Sequence, residues 1–269
     1  MTKQSKLFKI MLLLALVPIL LITFTSCAFD KKENTLYQVA LLQSLMQGEY
    51  DGIITVKELK TYGDTGIGTF QSVNGELIML DGVVYQALGD GTIAVANNNT
   101  TIPFANVVFM QHEFRQTFTN VDSMNTLKTK LDEFVTGKNQ ENQFFMVKLT
   151  GVATTIKVRS EIAQEEPYRP LNEALQEDQR EFNYENIEGT IVGLYCPNYM
   201  AGLNSQGWHF HFISKDKDKG GHMLDCNFEQ LSGSLDSIQS FRMIIPNRTS
   251  FNEKDLSTDM QNEIEDVEG

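Results

Sequence analysis

Cysteine and histidine, which supply most protein metal sites, are scarce in this chain of 269 residues. Only three cysteines and four histidines are present. No CxxC pair and no zinc-finger spacing occurs, which excludes the common cysteine-rich zinc and dithiol motifs. An exported protein could bridge Cys196 and Cys226, but two cysteines do not make a disulfide framework, and sequence does not show whether they lie within bonding distance.

Positive charge is also in short supply, with 22 lysines and arginines against 35 aspartates and glutamates. Such a chain has little with which to displace counterions from a phosphate backbone, so we expect no nucleic-acid partner. The glycines of GDTGIGT, residues 63–69, precede a strand-like segment rather than a helix. This context excludes a phosphate-binding loop and argues against a parallel nucleotide-binding fold.

The first 26 residues have the pattern of an export signal. Three lysines precede an apolar run from Ile10 to Phe24, and small residues follow. The run is at the short end for a membrane span and contains Pro18. We therefore expect a signal peptide over residues 1–26.

The end of this segment, FTSC, is similar to a bacterial lipobox, in which the cysteine is lipidated and becomes the new N-terminus. We expect lipidation of Cys27, a tether over residues 27–34 and a folded domain over residues 35–269. The protein would then be exported and lipid-anchored at the bacterial cell envelope, its only membrane contact. A plainly cleaved signal, giving a secreted protein, and an uncleaved anchor are the alternatives.

The rest of the chain predicts an α+β fold with mixed and antiparallel β-sheets and a few helices. LYQVALLQSLMQG predicts a helix that ends at Gly48, and SMNTLKTKLDEFVTG predicts another, capped by Ser123 or Asn125 and ended by Gly137. GELIMLDGVVYQAL predicts a hairpin that turns at Asp81-Gly82.

The second half is richer in strands. FFMVKLTGVATTIKVRS predicts a long strand that Gly151 splits or bends. GTIVGLYC, GWHFHFIS, GHMLDCNF and FRMIIP predict four more. Residues 161–181 predict a loop with at most one helical turn, and the acidic tail predicts a frayed terminus. We expect two closely associated β-rich subdomains, with residues 35–150 and a metal-binding part over residues 151–269 as one division.

Three of the four histidines lie within GWHFHFISKDKDKGGH, residues 207–222. On a strand, His209 and His211 point to one face and the aromatic residues between and around them to the other. If Ile213 pairs with Gly220 in a hairpin, His211 lies opposite His222. A shift of two residues keeps all three imidazoles on one face, whereas a shift of one removes His222 from it.

Three imidazoles on one face are the arrangement that a catalytic zinc ion uses when it keeps positions open for substrate. Cys226 has the same parity as His222 but lies four residues along the strand, roughly 13 Å away, too far to share one ion. The competing interpretation is an exposed hairpin with incidental histidines. His112, in MQHEF, is expected to be structural or on the surface.

The run GTIVGLYCPNYMAGLNSQGWHFHFISKDKDKGGHMLDC closely resembles a stretch of bacterial α-acetolactate decarboxylases, in which G-x-H-x-H and a later G-G-H supply metal ligands. LYQVALLQSLMQGEYDGIITVKELKTYGDTGIGTFQSVNGELIMLDGVVYQ is similar to the N-terminal region of that family, and FFMVKLTGVATTIKVRS to its middle strands. The resemblance extends from about Leu36 to the C-terminus.

The resemblance implies a set of site residues. The implied metal, Zn²⁺ or another divalent ion, is bound by His209, His211 and His222. The other implied residues are Glu76 and Arg159 as catalytic groups, Thr69 in the substrate pocket, and a tail glutamate placed at Glu268, with Glu265 and Glu263 as alternates.

The family converts 2-acetolactate to (R)-acetoin and CO₂ through a metal-stabilised enediolate, so the resemblance implies this activity and a homodimer. Arg159 would hold the substrate carboxylate and is, in this family, also proposed as a proton donor. No organic cofactor is needed. Two alternatives remain from the residues: an exported zinc-binding protein without catalysis, and a metal-dependent hydrolase with Glu76 as general base.

Overall fold

The computed structural model describes residues 34–268. The expected signal peptide, the lipidation site Cys27 and the tether up to residue 33 lie outside the described residues. Within residues 34–268, none of the helices combines the length and the apolar character needed to cross a bilayer.

The first sheet has seven strands and is mixed. Its outermost pair is parallel and its other pairs are antiparallel. In sheet order the strands are β14 (Ser240–Ile244), β1 (Thr35–Val39), β8 (Phe104–Val108), β3 (Thr65–Thr69), β4 (Glu76–Leu80), β5 (Val83–Ala87) and β6 (Ile93–Val95).

The second sheet has five antiparallel strands and carries the histidine hairpin. β10 pairs with both β11 and β13, and β12 pairs with the same two strands, so these four form a closed ring of hydrogen-bonded pairs. The strands are β10 (Phe144–Glu161), β11 (Gln179–Cys196), β12 (Gly207–Ser214), β13 (Gly220–Ile238) and β9 (Phe114–Val121).

Two short strands and six helices complete the described part of the chain. β2 (Ile54–Thr55) pairs with β7 (Thr101–Ile102). The helices are α1 (Leu42–Met46), α2 (Val56–Leu59), α3 (Met124–Gly137), α4 (Leu171–Asp178), α5 (Thr249–Asn252) and α6 (Gln261–Glu268), with 3-10 turns at Gln71–Val73 and Asn198–Met200.

The core positions the site between the two sheets. One apolar cluster draws residues from both, including Ile67 and Ile78 of the first and Val192 and Ile213 of the second. A separate cluster joins α1, α4 and α6, and it includes Ile264. The hairpin strand β12 packs against β4. The C-terminal helix packs against α1 and α4.

The α+β class is confirmed, as are the β4–β5 hairpin and helix α3. Asp81 and Gly82 have φ of 52° and 79°, the two positive values that a tight two-residue hairpin turn needs. Ser123 caps α3 by accepting a hydrogen bond from the Thr126 amide, and the helix ends at Gly137.

The predicted N-terminal helix over LYQVALLQSLMQG is wrong in its first half. Residues Thr35–Val39 form β1, and only Leu42–Met46 are helical. Ala40 has φ of 57°, which separates the two elements because a right-handed helix cannot continue through it. β1 extends because it pairs with β8 and, in parallel, with β14 near the other end of the chain.

Two predicted irregular segments are ordered. The supposed loop of residues 161–181 contains the eight-residue helix α4, and β11 already begins at Gln179. The supposedly frayed tail forms α5 and α6, with Ile264 and Val267 buried. β10 bends rather than splits at Gly151, since a register shift follows that residue. A division between residues 150 and 151 would fall inside this strand.

Candidate metal centre and active site

The hairpin has the register that places three histidines together. Ile213 lies opposite Gly220, and His211 lies opposite His222. The three imidazoles are buried, and their nitrogens lie within 4.8 Å of one another. Trp208, whose indole nitrogen donates to Asp132, packs on the other face of the strand. The alternative of an exposed hairpin with incidental histidines is therefore wrong.

The nitrogens converge in a way that suits a cation. His209 Nε2 lies 3.1 Å from both His211 Nε2 and His222 Nδ1. For comparison, two ligands of a tetrahedral zinc ion with Zn–N bonds of about 2.0–2.1 Å are separated by about 3.3 Å. Two of the three nitrogen pairs are thus spaced almost as they would be around one ion, and all three nitrogens lie within 4.8 Å of one another.

The hydrogen-bond partners of the imidazole nitrogens also favour a cation between the rings. His211 Nδ1 lies 2.9 Å from the Leu77 carbonyl, to which it must donate, so its Nε2 carries a lone pair. His222 Nδ1 lies 3.3 Å from Arg159 Nη2; arginine only donates, so this nitrogen carries a lone pair too. His209 Nε2 lies 3.1 Å from both nitrogens and could donate to only one of them. A cation between the rings would take the lone pair of His211, and that of His222 in place of the hydrogen bond from Arg159.

Burial keeps the imidazoles neutral, as metal ligands must be. It lowers the pKa of His209 to about 3, and the nearby positive charges of Arg159 and Lys128 act in the same direction. Burial also lowers the pKa values of His211 and His222 well below the usual range.

Glu76 and Arg159 meet beside the histidines. Glu76 begins β4, and Arg159 lies directly opposite His222 in the β10–β13 pairing. Glu76 Oε2 is 3.4 Å from His211 Nε2, and its Oε1 is 3.6 Å from Arg159 Nη1. The first sheet thus supplies a carboxylate to a centre whose histidines and arginine belong to the second.

Glu268, rather than Glu265 or Glu263, is the tail glutamate that reaches the histidines. Its Oε2 lies 3.2 Å from His209 Nδ1, although the two are not aligned as a hydrogen bond, and 3.9 Å from His222 Nδ1. Glu265 is exposed on α6. The Val267 carbonyl accepts a 2.8 Å hydrogen bond from Arg159 Nη2 and holds the helix end in place.

Thr69 completes the wall of the same cavity. It lies opposite Glu76 in the β3–β4 pairing, and its hydroxyl donates to the Gly75 carbonyl over 2.9 Å. The cavity measures about 30 Å³ and is also lined by Arg159, His209 and Glu268. All the expected site residues that the structure describes therefore converge on one place.

Sequence reasoning missed Glu161. This residue ends β10 two positions after Arg159, is 5% exposed, and its Oε1 accepts a hydrogen bond from Arg159 Nη1. The sequence pattern places Glu161 in the polar loop that follows the strand. The available signal was the alternation of a strand: if β10 is extended by one residue, Arg159 and Glu161 must share a face.

The donor set also fits a divalent ion by charge. The site buries three carboxyl groups (Glu76, Glu161 and Glu268) and one guanidinium (Arg159), which gives a formal charge of −2 if all are ionised. Burial raises the pKa of all three carboxyls, and their mutual repulsion adds to this for Glu76 and Glu161, while Arg159 opposes it. A divalent cation at the three imidazoles would balance this charge.

The remaining candidates lie elsewhere. His112 is exposed, with its ring bonded to Ser234. Cys196 and Cys226 are both buried free thiols and form no disulfide. Cys226 packs in the apolar cluster beneath α3 rather than at the histidines.

Comparison with known proteins decides the family. A family model described as alpha-acetolactate decarboxylase matches residues 36–258. The chain belongs to the alpha-acetolactate decarboxylase family. Membership identifies it as an enzyme of the decarboxylase class.

Relatives in this family cover most of the chain. The alpha-acetolactate decarboxylase of Methanosarcina mazei is 38% identical over 240 residues, which are 89% of this chain and 82% of that protein. The Bacillus subtilis alpha-acetolactate decarboxylase is 33% identical over 245 residues, 89% of this chain and 93% of that protein.

Solved structures of the family share the fold. The crystal structure of the Bacillus subtilis alpha-acetolactate decarboxylase superposes with a TM-score of 0.83 at 31% identity and covers 87% of this chain and 99% of that one. A Staphylococcus aureus protein described as similar to alpha-acetolactate decarboxylase gives 0.80 at 29% identity, over 87% of this chain and 100% of that one.

Proposed function

We propose that the protein catalyses the metal-dependent decarboxylation of 2-acetolactate to (R)-acetoin and CO₂. The observation that carries the proposal is one buried cavity, in a member of this family, where three converging imidazoles meet an arginine and three carboxyl groups. A divalent ion held by His209, His211 and His222, Zn²⁺ by preference, would supply Lewis-acid stabilisation for negative charge developing on the ketone oxygen.

The chain's own residues have distinct tasks in this reaction. The bond from the carboxylate carbon to C2 breaks, CO₂ leaves, and the electron pair passes into the adjacent ketone to give an enediolate. One proton added at C2 then gives acetoin. Arg159 is placed to hold the carboxylate by charge-assisted hydrogen bonds. Burial opposes its charge, but Glu161, Glu76 and Glu268 raise its pKa, so the guanidinium stays charged.

Glu76 is placed to handle protons. Burial and the neighbouring Glu161 raise its pKa, while Arg159 opposes this, and a raised pKa favours a carboxyl group that exchanges a proton with substrate. Glu268, beside His209, would orient that imidazole. These roles remain proposals for each residue, and they differ in their expected kinetic signatures.

We propose that substrate access involves a movement of the cavity wall. The cavity has room for about two water molecules, which is much less than 2-acetolactate occupies. Helix α6 forms one wall through Glu268, and it is attached mainly through Ile264 and Val267. We propose that α6 moves away to admit substrate and returns to exclude water.

The test is a direct product assay. Metal-replete purified protein is given racemic 2-acetolactate, and acetoin, its chirality and CO₂ are measured, with and without a chelator. We expect (R)-acetoin that disappears on chelation. Absence of acetoin would refute the proposal and leave the two alternatives, a zinc-binding protein without catalysis or a metal-dependent hydrolase, which a panel of ester and amide substrates would separate.

Export, lipidation of Cys27 and a homodimer also remain proposals, supported by the leader sequence and by the family resemblance. Mass spectrometry of the membrane fraction should find diacylglycerol on Cys27 and none after Cys27→Ser. Light scattering of the purified domain should give twice the chain mass; a monomer would contradict the dimer.

A further inference from the structure

We propose that Glu161 is a positioning residue that fixes the Arg159 guanidinium for the reaction. The inference rests on the proposed function, because it assigns a neighbour to the arginine that acts on substrate there. It concerns a residue outside the metal ligands and depends on contacts around Arg159.

The two residues are adjacent on one face of β10. Glu161 follows Arg159 by two positions, and their side chains are 5% and 3% exposed. Glu161 Oε1 accepts a hydrogen bond from Arg159 Nη1. On the other branch, Nη2 donates to the Val267 carbonyl over 2.8 Å and faces His222 Nδ1 at 3.3 Å. The two ends of the guanidinium therefore have different partners.

Glu76 cannot replace Glu161 in this task. Its nearest oxygen lies 3.6 Å from Arg159 Nη1, outside hydrogen-bond distance, and its other oxygen lies 3.4 Å from His211. Glu161, by contrast, has no histidine contact among the described residues. Glu76 is thus in contact with the metal centre, whereas Glu161 accepts the hydrogen bond from the arginine and also interacts with the Glu76 carboxyl.

The backbone that carries Glu161 is itself held. The Ser160 hydroxyl donates to the Ala87 carbonyl over 2.6 Å. At Gly89 the chain approaches so closely that a Cβ there would lie 2.8 Å from the Glu161 carbonyl oxygen. The end of β10 is thereby fixed against the β4–β5 hairpin, which begins with Glu76, so Glu161 has little freedom to shift.

The carboxylate is a poor choice for stability alone. Glu161 Oε2 is buried and accepts no hydrogen bond from an N–H group among the described residues, and Glu161 lines the cavity beside the Glu76 carboxyl. A buried oxygen without such a donor is costly, and glutamine could accept from Nη1 only through a weaker, uncharged hydrogen bond. A negative charge at this position is better explained by its effect on Arg159, whose guanidinium it fixes. Both binding a carboxylate and delivering a proton to one face of the enediolate require a fixed guanidinium.

The variant Glu161→Gln tests this with zinc-replete protein and 2-acetolactate. We expect kcat to fall about 10–100-fold with KM changed less than about threefold. We also expect the enantiomeric excess of acetoin to drop, because a loose guanidinium no longer defines one face. Zinc content should stay at the wild-type value. Glu165→Gln, the same change at an exposed site on the same segment, should behave as wild type.

The outcomes separate the claims. Wild-type kcat and enantiomeric excess in Glu161→Gln would overturn the positioning role, as would a lower melting temperature with both unchanged. If Glu161→Gln does not fold, Glu161→Asp, which keeps the charge but withdraws it from Nη1, must show the loss of enantiomeric excess. Failure of the wild-type protein to form acetoin would instead refute the proposed function.

Discussion

The β12–β13 hairpin and the C-terminal helix α6 both reach the candidate site, but they are held differently. β12 pairs with β11 from Gly189 to Cys196, and its far face is buried beneath α3. α6 has eight residues; it packs through Ile264 and Val267, and its Val267 carbonyl accepts one hydrogen bond from Arg159. Lids are drawn from the least stable parts of a protein. The difference suggests that the metal ligands stay fixed while the tail carboxylate can leave.

The preceding tail is tied by polar contacts to the region around α1. Lys254 donates to the Gln47 carbonyl, Gln47 to the Asp255 carbonyl over 2.7 Å, and Ser250 to Glu49 over 2.9 Å. These contacts stop before α6 begins. An opening movement could therefore involve α6 alone while residues 248–255 remain in place.

The largest expected effect is on the hairpin side. His211→Ala should abolish tight zinc binding and lower kcat by about 100-fold or more, since loss of a ligand exceeds the roughly 10–100-fold cost of losing a supporting contact. Metal content by mass spectrometry and acetoin formation measure this. His112→Ala, at the exposed histidine, is the matched control. Normal zinc content in His211→Ala would contradict the claim that the hairpin histidines hold the metal.

On the tail side, Glu268→Gln should lower kcat about 10–100-fold when zinc is saturating, because it removes a contact to His209 but no ligand. One zinc ion per chain should remain. Glu265→Gln changes an exposed glutamate of the same helix and should be neutral. If Glu268→Gln lost its zinc as His211→Ala does, the tail would have to be counted among the ligands.

The smallest expected effect concerns the difference in stability between the hairpin and α6. Ile213 and Ile264 are 0% and 1% exposed, and each can be replaced by alanine. Ile213→Ala should cost about 2–5 kcal/mol of global unfolding free energy. Ile264→Ala should cost less, because α6 can detach locally, and should speed amide exchange in α6 only. Urea unfolding and hydrogen exchange measure both; equal global losses would contradict the distinction.

Local patterns predicted the hairpin well. Two-residue alternation alone places His209 and His211 on one face, whereas the Ile213–Gly220 register that brings in His222 is one of several that the sequence allows, and the structure selects it. These rules hold because each depends on neighbouring residues. The site roles of Glu76, Arg159 and Glu268 came only from the family resemblance, since nothing near them in sequence shows that they meet.

The misread segments depend on distant partners. The segment of β1 has helical spacing, but its pairing with β14 joins residues about two hundred positions apart, and tertiary pairing overrides such a preference. The sequence predicts a frayed tail because the packing that orders it comes from α1 and α4, which are distant from it in sequence. Glu161 was missed because its burial depends on Arg159 and on the β4–β5 hairpin rather than on its own surroundings in sequence.

The most direct test of the central claim is a metal titration of chelator-treated protein. If His209, His211 and His222 hold the catalytic ion, acetoin formation should rise in proportion to added zinc and level off at one ion per chain. The His211→Ala protein should show neither binding nor activity over the same range. Full acetoin formation by metal-free wild-type protein would contradict the account, as would a one-to-one titration that survives His211→Ala.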